Sequence, residues 1–309
     1  MRGLSISFFD SLKGGLLQPI LNRVKRDDTL MLSIRDGYIN IYYRGGNLLR
    51  ITERPSSFYF YFDKKYDLTN GHEVFNSLAL HETITDSNQV EKWVTSFASL
   101  KELMDYWLNK NPKLEREFQQ LVERENNMSS ISNETEYFIT DIELADSNLG
   151  AKFDMTAIKW TSDKRKYSGF CKPAFIEMKY GDDQLDDPSG LLKHIRDFHS
   201  FVSDKSNYQI ILNSMILQFN QLCELGLIKY NRSKNATVQL TIEDKPEFIF
   251  LLANHNPRST KLKSILLSNE FQKYTVSDLF NLRFSVCSDA GYGLHSANML
   301  PYNDYIKFL

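Results

Sequence analysis

The amino-acid sequence predicts an α/β protein in two parts: a β-rich α+β segment over residues 1–110 and a mixed central sheet flanked by helices over residues 111–309. Three observations lead there. Near the N-terminus, Asp36-Gly37 and Gly45-Gly46 separate β-branched and aromatic runs, the pattern of tight hairpins. Over residues 90–126 the apolar positions recur with helical spacing instead. Beyond residue 136, three strand-like runs and a helix are followed by alternating strands and helices, as in an α/β domain. With 309 residues, 42% of them hydrophobic, and 21 Phe and 16 Tyr, the chain has the length of about two domains and can bury a sizeable core. Wholesale disorder is excluded.

Taken in order, Phe8, Leu12, Leu16, Ile20 and Val24 form a helical stripe weakened at its middle by Gly14-Gly15. Residues 30–52 read as a meander of strands and Ser56–Phe62 as another strand. A helix over 90–109 carries Trp93, Phe97, Leu100, Met104 and Trp107 along one side. Pro112 closes it and opens the next, which runs from Lys113 to Asn126 with Leu114, Phe118, Leu121 and Val122 inward. Residues 128–135 are a polar linker. Strands follow at Tyr137–Ala145, Lys152–Trp160 and Pro173–Tyr180, with a turn at 162–166 and a loop at 181–188. Ser189 is the expected N-cap of a helix whose Leu191, Leu192, Ile195, Phe198 and Phe201 keep helical spacing. A second helix over Tyr208–Leu225 ends at Gly226; strand Glu247–Ala253, helix Thr260–Ser268 and strand Asn281–Val286 complete the order, and Tyr292-Gly293 reads as a turn.

Composition narrows function by exclusion. A net charge of −2 describes neither a histone-like protein nor an acidic tail, so contact with a polyanion has to come from local patches. The longest apolar run, Phe248–Ala253, is far shorter than the ~20 residues of a membrane helix, and the first residues lack the form of a signal peptide. Three widely spaced cysteines, Cys171, Cys223 and Cys287, make neither a disulfide framework nor a zinc knuckle. The six histidines, at 72, 81, 194, 199, 255 and 295, show no HxH or HExxH spacing. Nucleotide-binding and hydrolase-triad fingerprints are absent. The expectation is a soluble, cytoplasmic protein with no membrane span.

The residues that carry chemistry are Asp154, Glu177 and Lys179. Strand side chains alternate with period two, so Glu177 and Lys179 share a face, and Asp154 can approach Glu177 from a neighbouring strand. Two carboxylates placed this way offer hard oxygens to Mg²⁺, with Mn²⁺ as a substitute. A metal polarises a phosphodiester and activates water, while an adjacent ammonium positions that water and stabilises the developing charge. A second triplet, Glu243-Asp244-Lys245, lies in a polar turn before Pro246, whereas Glu177-Met178-Lys179 sits in an otherwise apolar strand, where charge needs a reason. Glu143 is a candidate third carboxylate beside Asp141. Glu117 and Glu123 on the preceding helix are weaker candidates, and Lys193–Asp197 is an exposed i,i+4 pair that would bring Lys193 toward a phosphate only from the helix surface.

The order helix, strand, strand with Asp154, strand with Glu177-x-Lys179, helix resembles the core of the PD-(D/E)XK nuclease superfamily over residues 113–205. Phe153 precedes Asp154 where that motif often has proline. The resemblance implies a restriction-endonuclease-like core, with Asp154 and Glu177 as metal ligands, the Met178 carbonyl as a further ligand and Lys179 as the catalytic lysine. Its implied substrate is nucleic acid, DNA before RNA. Phosphate contacts are expected from Lys164-Arg165-Lys166 and Lys193, from Arg23/Lys25/Arg26 and from Arg258/Lys261/Lys263, and a homodimer or protein partner would use the N-terminal domain. The alternative is a catalytically silent nuclease-like fold serving as a nucleic-acid-binding or scaffold module. The expected active site is an open cleft, with the helix after residue 189 covering the sheet through Leu192, Ile195 and Phe198 and leaving the carboxylates uncovered.

Overall fold

The computed structural model describes residues 1–182, 185–186, 190–233, 235–256, 259–287, 294, 296 and 299–308. Ser189, Arg258 and Tyr292-Gly293 lie outside the described residues. The chain is mixed α/β with two sheets flanked by helices. It divides into two compact units, Arg2–Gln120 with Asn220–Leu227, and Leu121–Phe219 with Ile228–Leu309. The division falls ten residues beyond the expected 110/111 boundary because the start of the helix after Pro112 stays with the first unit, where Glu117 meets Arg44 Nε at 3.1 Å. Residues 220–227 join that unit too: Gln221 accepts from Leu4 N–H at 3.0 Å and donates to the Leu4 carbonyl at 2.9 Å.

The N-terminal unit begins with two helices, α1 (Ile6–Gly14) and α2 (Gln18–Arg26), rather than one continuous stripe. Gly15 caps α1 by donating to the Asp10 and Ser11 carbonyls, and Pro19 at the head of α2 has no N–H with which to continue a helix across the break. Strands β1 (Leu30–Ile34), β2 (Tyr38–Tyr43), β3 (Gly46–Arg54), β4 (Ser57–Tyr61) and β5 (Thr83–Ile84) form an antiparallel sheet in sequence order. The β2–β3 turn places both Arg44 and Gly45 at positive φ, 47° and 72°, the backbone of a tight hairpin whose twist matches its strands. The short helix α3 (Glu73–Ser77) precedes β5. Ile39, Ile41, Leu49, Ile51 and Phe60 are buried, as are Trp93, Phe97, Leu100 and Met104 of α4 (Ser87–Lys110). Helix α5 (Leu114–Asn127) follows and crosses into the second unit.

The second unit holds a six-stranded sheet in the order β11-β10-β9-β8-β7-β6. Here β6 is Tyr137–Asp146, β7 Ala151–Lys159, β8 Lys172–Tyr180, β9 Glu247–Ala253, β10 Asn281–Cys287 and β11 Leu300–Pro301. The pairs β6–β7 and β7–β8 are antiparallel; β8–β9 and β9–β10 are parallel. Parallel neighbours need a crossover, which α6 (Leu191–Ser203) and α7 (Lys205–Glu224) supply between β8 and β9. Between β9 and β10 the link contains α8 (Thr260–Leu266) and α9 (Asn269–Gln272), and α10 (Tyr302–Tyr305) follows β11. The core under α6 is aromatic. Phe198 stacks on Phe248 at 4.3 Å and meets Phe153, Phe175 and Phe280 at 5.7, 5.2 and 5.1 Å. Among the described residues no helix is long and apolar enough to cross a membrane.

Phe198 is wholly buried where four rings converge, so removing its ring opens a cavity that the rigid sheet cannot close. Phe198→Ala is expected to destabilise the protein by about 3–5 kcal/mol, read as a lowered denaturant midpoint. A loss below about 1 kcal/mol would mean that the cluster is not the core it resembles.

Candidate active site

Strand pairing brings the carboxylates to one level. Met155 is opposite Ile176 and Thr156 opposite Phe175, so the same register sets Asp154 beside Glu177. Regular pairing stops at that point. Asp154 Oδ2 accepts the Met178 N–H at 2.8 Å, a side chain taking the place of a backbone carbonyl. Alternation along β7 breaks at the same residue: Thr156 pairs with Phe175, yet Phe153, an odd number of residues away, also packs on the Phe175 ring at 4.9 Å. On the other side of β7, Ile142 pairs with Met155 and Leu144 with Phe153, leaving Glu143 level with Asp154. Glu143 holds a φ of 51°. A non-glycine residue in that region costs about 1–3 kcal/mol, and such residues concentrate at functional sites. Asp141 is buried, and its Oδ1 accepts the Ile142 N–H at 2.9 Å.

Glu177 and Lys179 emerge on one face, as their spacing requires, and Lys179 Nζ donates to Glu177 Oε1 at 2.8 Å. Their side chains are only 3% and 4% exposed. The expectation of an open cleft is therefore corrected. Helix α6 covers the pair, because His194 lies one turn from both Leu191 and Phe198 on its inward side. His194 Nε2 stands 2.9 Å from Glu177 Oε1 and 3.3 Å from Lys179 Nζ. Burial by itself would raise the Glu177 pKa, but the His194 hydrogen bond and the Lys179 charge outweigh it and hold the carboxyl below its ordinary value. Leu191, Ile195 and Phe198 are buried, whereas Leu192 is half-buried. Metal-ligand spacing misses His194; its helical phase with Leu191, Ile195 and Phe198 is the signal that finds it.

The other predicted residues have surroundings of their own. Arg165 is 2% exposed, and its guanidinium donates to the Trp160, Asn133 and Thr135 carbonyls, so it is a buried strut and not a phosphate ligand. Lys164 and Lys166 are exposed on the β7–β8 turn, and Lys193 forms a surface pair with Asp197. Arg23 bonds Asp27 at 2.8 Å on α2, and Lys261 on α8 bonds Asp186 at 2.8 Å; Lys25, Arg26 and Lys263 lie exposed on the same helices. Glu123 is buried, accepts from Asn127 at 2.9 Å and is pushed up to about 7 by desolvation. Asn127 in turn bonds the Ile139 N–H and carbonyl, so Glu123 supports the edge of β6. Glu243 and Lys245 lie ahead of β9 in a turn where Asp244 accepts from Thr241.

A hard divalent cation fits this donor set. Lys179 and His194 both contact Glu177 through Oε1, and no hydrogen-bond partner of Oε2 occurs among the described residues. In an extended strand a residue's N–H and C=O leave on the same side, so the Met178 carbonyl faces Asp154 as its N–H does. Asp154, Glu177 Oε2 and the Met178 carbonyl are all oxygen donors, and Mg²⁺ needs only one or two carboxylates plus water and substrate. Among the described residues no group of three or more His, Cys, Asp or Glu is gathered to hold a metal ion, so an ion here would rest on two carboxylates, a carbonyl and water. Comparison with protein-family models, curated proteins and solved structures gives no match to this chain.

Two of the buried glutamates, Glu177 and Glu123, titrate in opposite senses. Glu177 is depressed, so its stabilisation is complete above the unfolded value of 4.5 and is lost as pH falls through the folded value. His194→Ala removes the contact that holds it down and is expected to move this acid loss to higher pH, read from urea midpoints across the acid range; an unmoved acid limb would contradict the contact. Glu123 is raised from 4.5 to about 7, so stability falls as pH rises between those values. Glu123→Gln is expected to remove that decline, gaining at most about 3 kcal/mol above neutral pH. Parallel curves for the two proteins would refute it.

Proposed function

We propose that the unit Leu121–Phe219 with Ile228–Leu309 is a divalent-metal-dependent nuclease that hydrolyses phosphodiester bonds, with DNA its foremost substrate. The observation that carries this reading is the burial of an acid and a lysine, Glu177 and Lys179, on a central strand level with the Asp154 carboxylate. The order α5-β6-β7-β8-α6 supports it, since it repeats the helix, strand, strand with Asp, strand with Glu-x-Lys, helix order of the PD-(D/E)XK core. A restriction-endonuclease-like core is part of the same proposal. Asp154, Glu177 Oε2 and the Met178 carbonyl would hold Mg²⁺ or Mn²⁺, with Glu143 a further carboxylate at that level. The ion supplies Lewis acidity and a lowered pKa for bound water. Lys179 stabilises negative charge on the attacked phosphate, in a site where low dielectric strengthens the effect. His194 is a positioning residue: its bond to Oε1 keeps Glu177 ionised and oriented when Lys179 turns to substrate.

The same burial favours one other reading. Glu177 and Lys179 satisfy each other under α6, as they would in a silent fold retained for binding or scaffolding. Activity separates the two. Asp154→Asn and Lys179→Met are each expected to lower Mg²⁺-dependent cleavage of DNA by roughly 10²–10³ with the far-ultraviolet circular dichroism unchanged. Mn²⁺ binding by calorimetry should vanish in Asp154→Asn. Absence of wild-type cleavage of single-stranded DNA, duplex DNA and RNA with either ion, or equal cleavage by the variants, overturns the nuclease reading; absence of Mn²⁺ binding as well leaves the scaffold.

A further inference from the structure

We propose that the β7–β8 turn is a stacking platform for the bases of single-stranded nucleic acid. This names the strand form that the proposed nuclease engages, and in that respect it rests on the reading above. Tyr167 and Phe170 are large aromatic side chains left 58% and 56% exposed, although the chain buries most of its other rings. They stand together at the tip, ring centroids 5.9 Å apart and planes inclined at 63°. Lys164 places its ammonium 5.7 Å from the Phe170 ring. Lys164 pairs with Asp163 at 3.4 Å and Asp244 lies near Cys171, while Lys166 and Lys172 are also exposed. The turn itself, with three exposed lysines and one acid, keeps a net positive charge that complements a polyanion.

The tip is also held still. Arg165 ties it from beneath to three backbone carbonyls and packs its guanidinium 4.8 Å over Phe138. Ser168 Oγ accepts the Thr237 N–H at 3.0 Å, and Gly169 turns between the two rings at a φ of 77°. Rings presented by a fixed backbone lose little freedom on binding. A duplex already stacks its bases and shields their faces, whereas a single strand offers them to any aromatic surface, and flanking cations follow its phosphates. Phe170 and Tyr167 lie seven and ten residues before Glu177; the part of that span along β8, from Lys172, is five residues, about 17 Å at the rise of a strand.

The test uses the full-length protein, a fluorescent twenty-nucleotide oligo-dT and EDTA, so that binding is measured without cleavage. Tyr167→Ala and Phe170→Ala are each expected to weaken binding about tenfold, the size of one stacked base, while Tyr167→Phe restores it. Lys164→Ala with Lys166→Ala should reduce the salt dependence by roughly 0.7 for each lost phosphate contact. Thermal melts of the ring variants should match the wild type. Wild-type affinity in the double ring variant, tighter binding of a duplex of the same length, or no binding of oligo-dT overturns the platform. Metal-dependent cleavage would in that event leave the nuclease reading standing; ring-dependent binding without cleavage in either metal would leave the platform standing alone.

Discussion

A carboxylate and an ammonium two residues apart on a buried strand impose a constraint that their surroundings must satisfy. Removing such charges from water is costly, and their mutual attraction offsets the cost only when geometry and further hydrogen bonds are good. Here the 2.8 Å contact between Lys179 and Glu177 is reinforced by His194, and α6 is held over both by Ile195 and Phe198. The aromatic cluster around Phe198 is therefore more than packing. It fixes the helix phase that aims His194 at the carboxylate.

Buried charge alone does not identify a site in this fold. Glu247 is as secluded as Glu177, yet Tyr137 donates to its Oε2 at 2.6 Å and Lys159 to its Oε1 at 2.9 Å, so both of its oxygens are engaged. Arg165 likewise spends its guanidinium on backbone carbonyls. What distinguishes Glu177 is asymmetry: Lys179 and His194 both contact Oε1, the other oxygen has no hydrogen-bond partner among the described residues, and a strained Glu143 and a kinked Asp154 lie on the adjoining strands.

Period-two alternation and glycine turns were enough to read the longer strands of both units, because those signals are local, but not the two-residue strands β5 and β11, which are too short to show a period. Glu177 and Lys179 sharing a face was legible for the same reason. The kink at Asp154 was not, since it arises from a side chain displacing a backbone partner on another strand. Nor was the burial of Arg165 legible: in sequence it stands between two lysines, and only the approach of Trp160, Asn133 and Thr135 carbonyls separates it from them. The break between α1 and α2 had a local sign, Pro19, which outweighs an apolar stripe that continues through it. His194 shows the remaining gap. Its helical phase was available, but its chemistry depends on which strand lies beneath.

The two units do not follow one another along the chain like beads. Because Asn220–Leu227 belongs with Arg2–Gln120, the first unit is a discontinuous piece of sequence, interrupted by Leu121–Phe219. On a ribosome the first 120 residues would emerge without the segment whose Gln221 clasps Leu4. At translation rates of about 5–20 residues per second, that segment arrives roughly 5–20 s later. The strands bearing Asp154, Glu177 and Lys179 are synthesised within the interval, so that segment is made before the unit that precedes it can close.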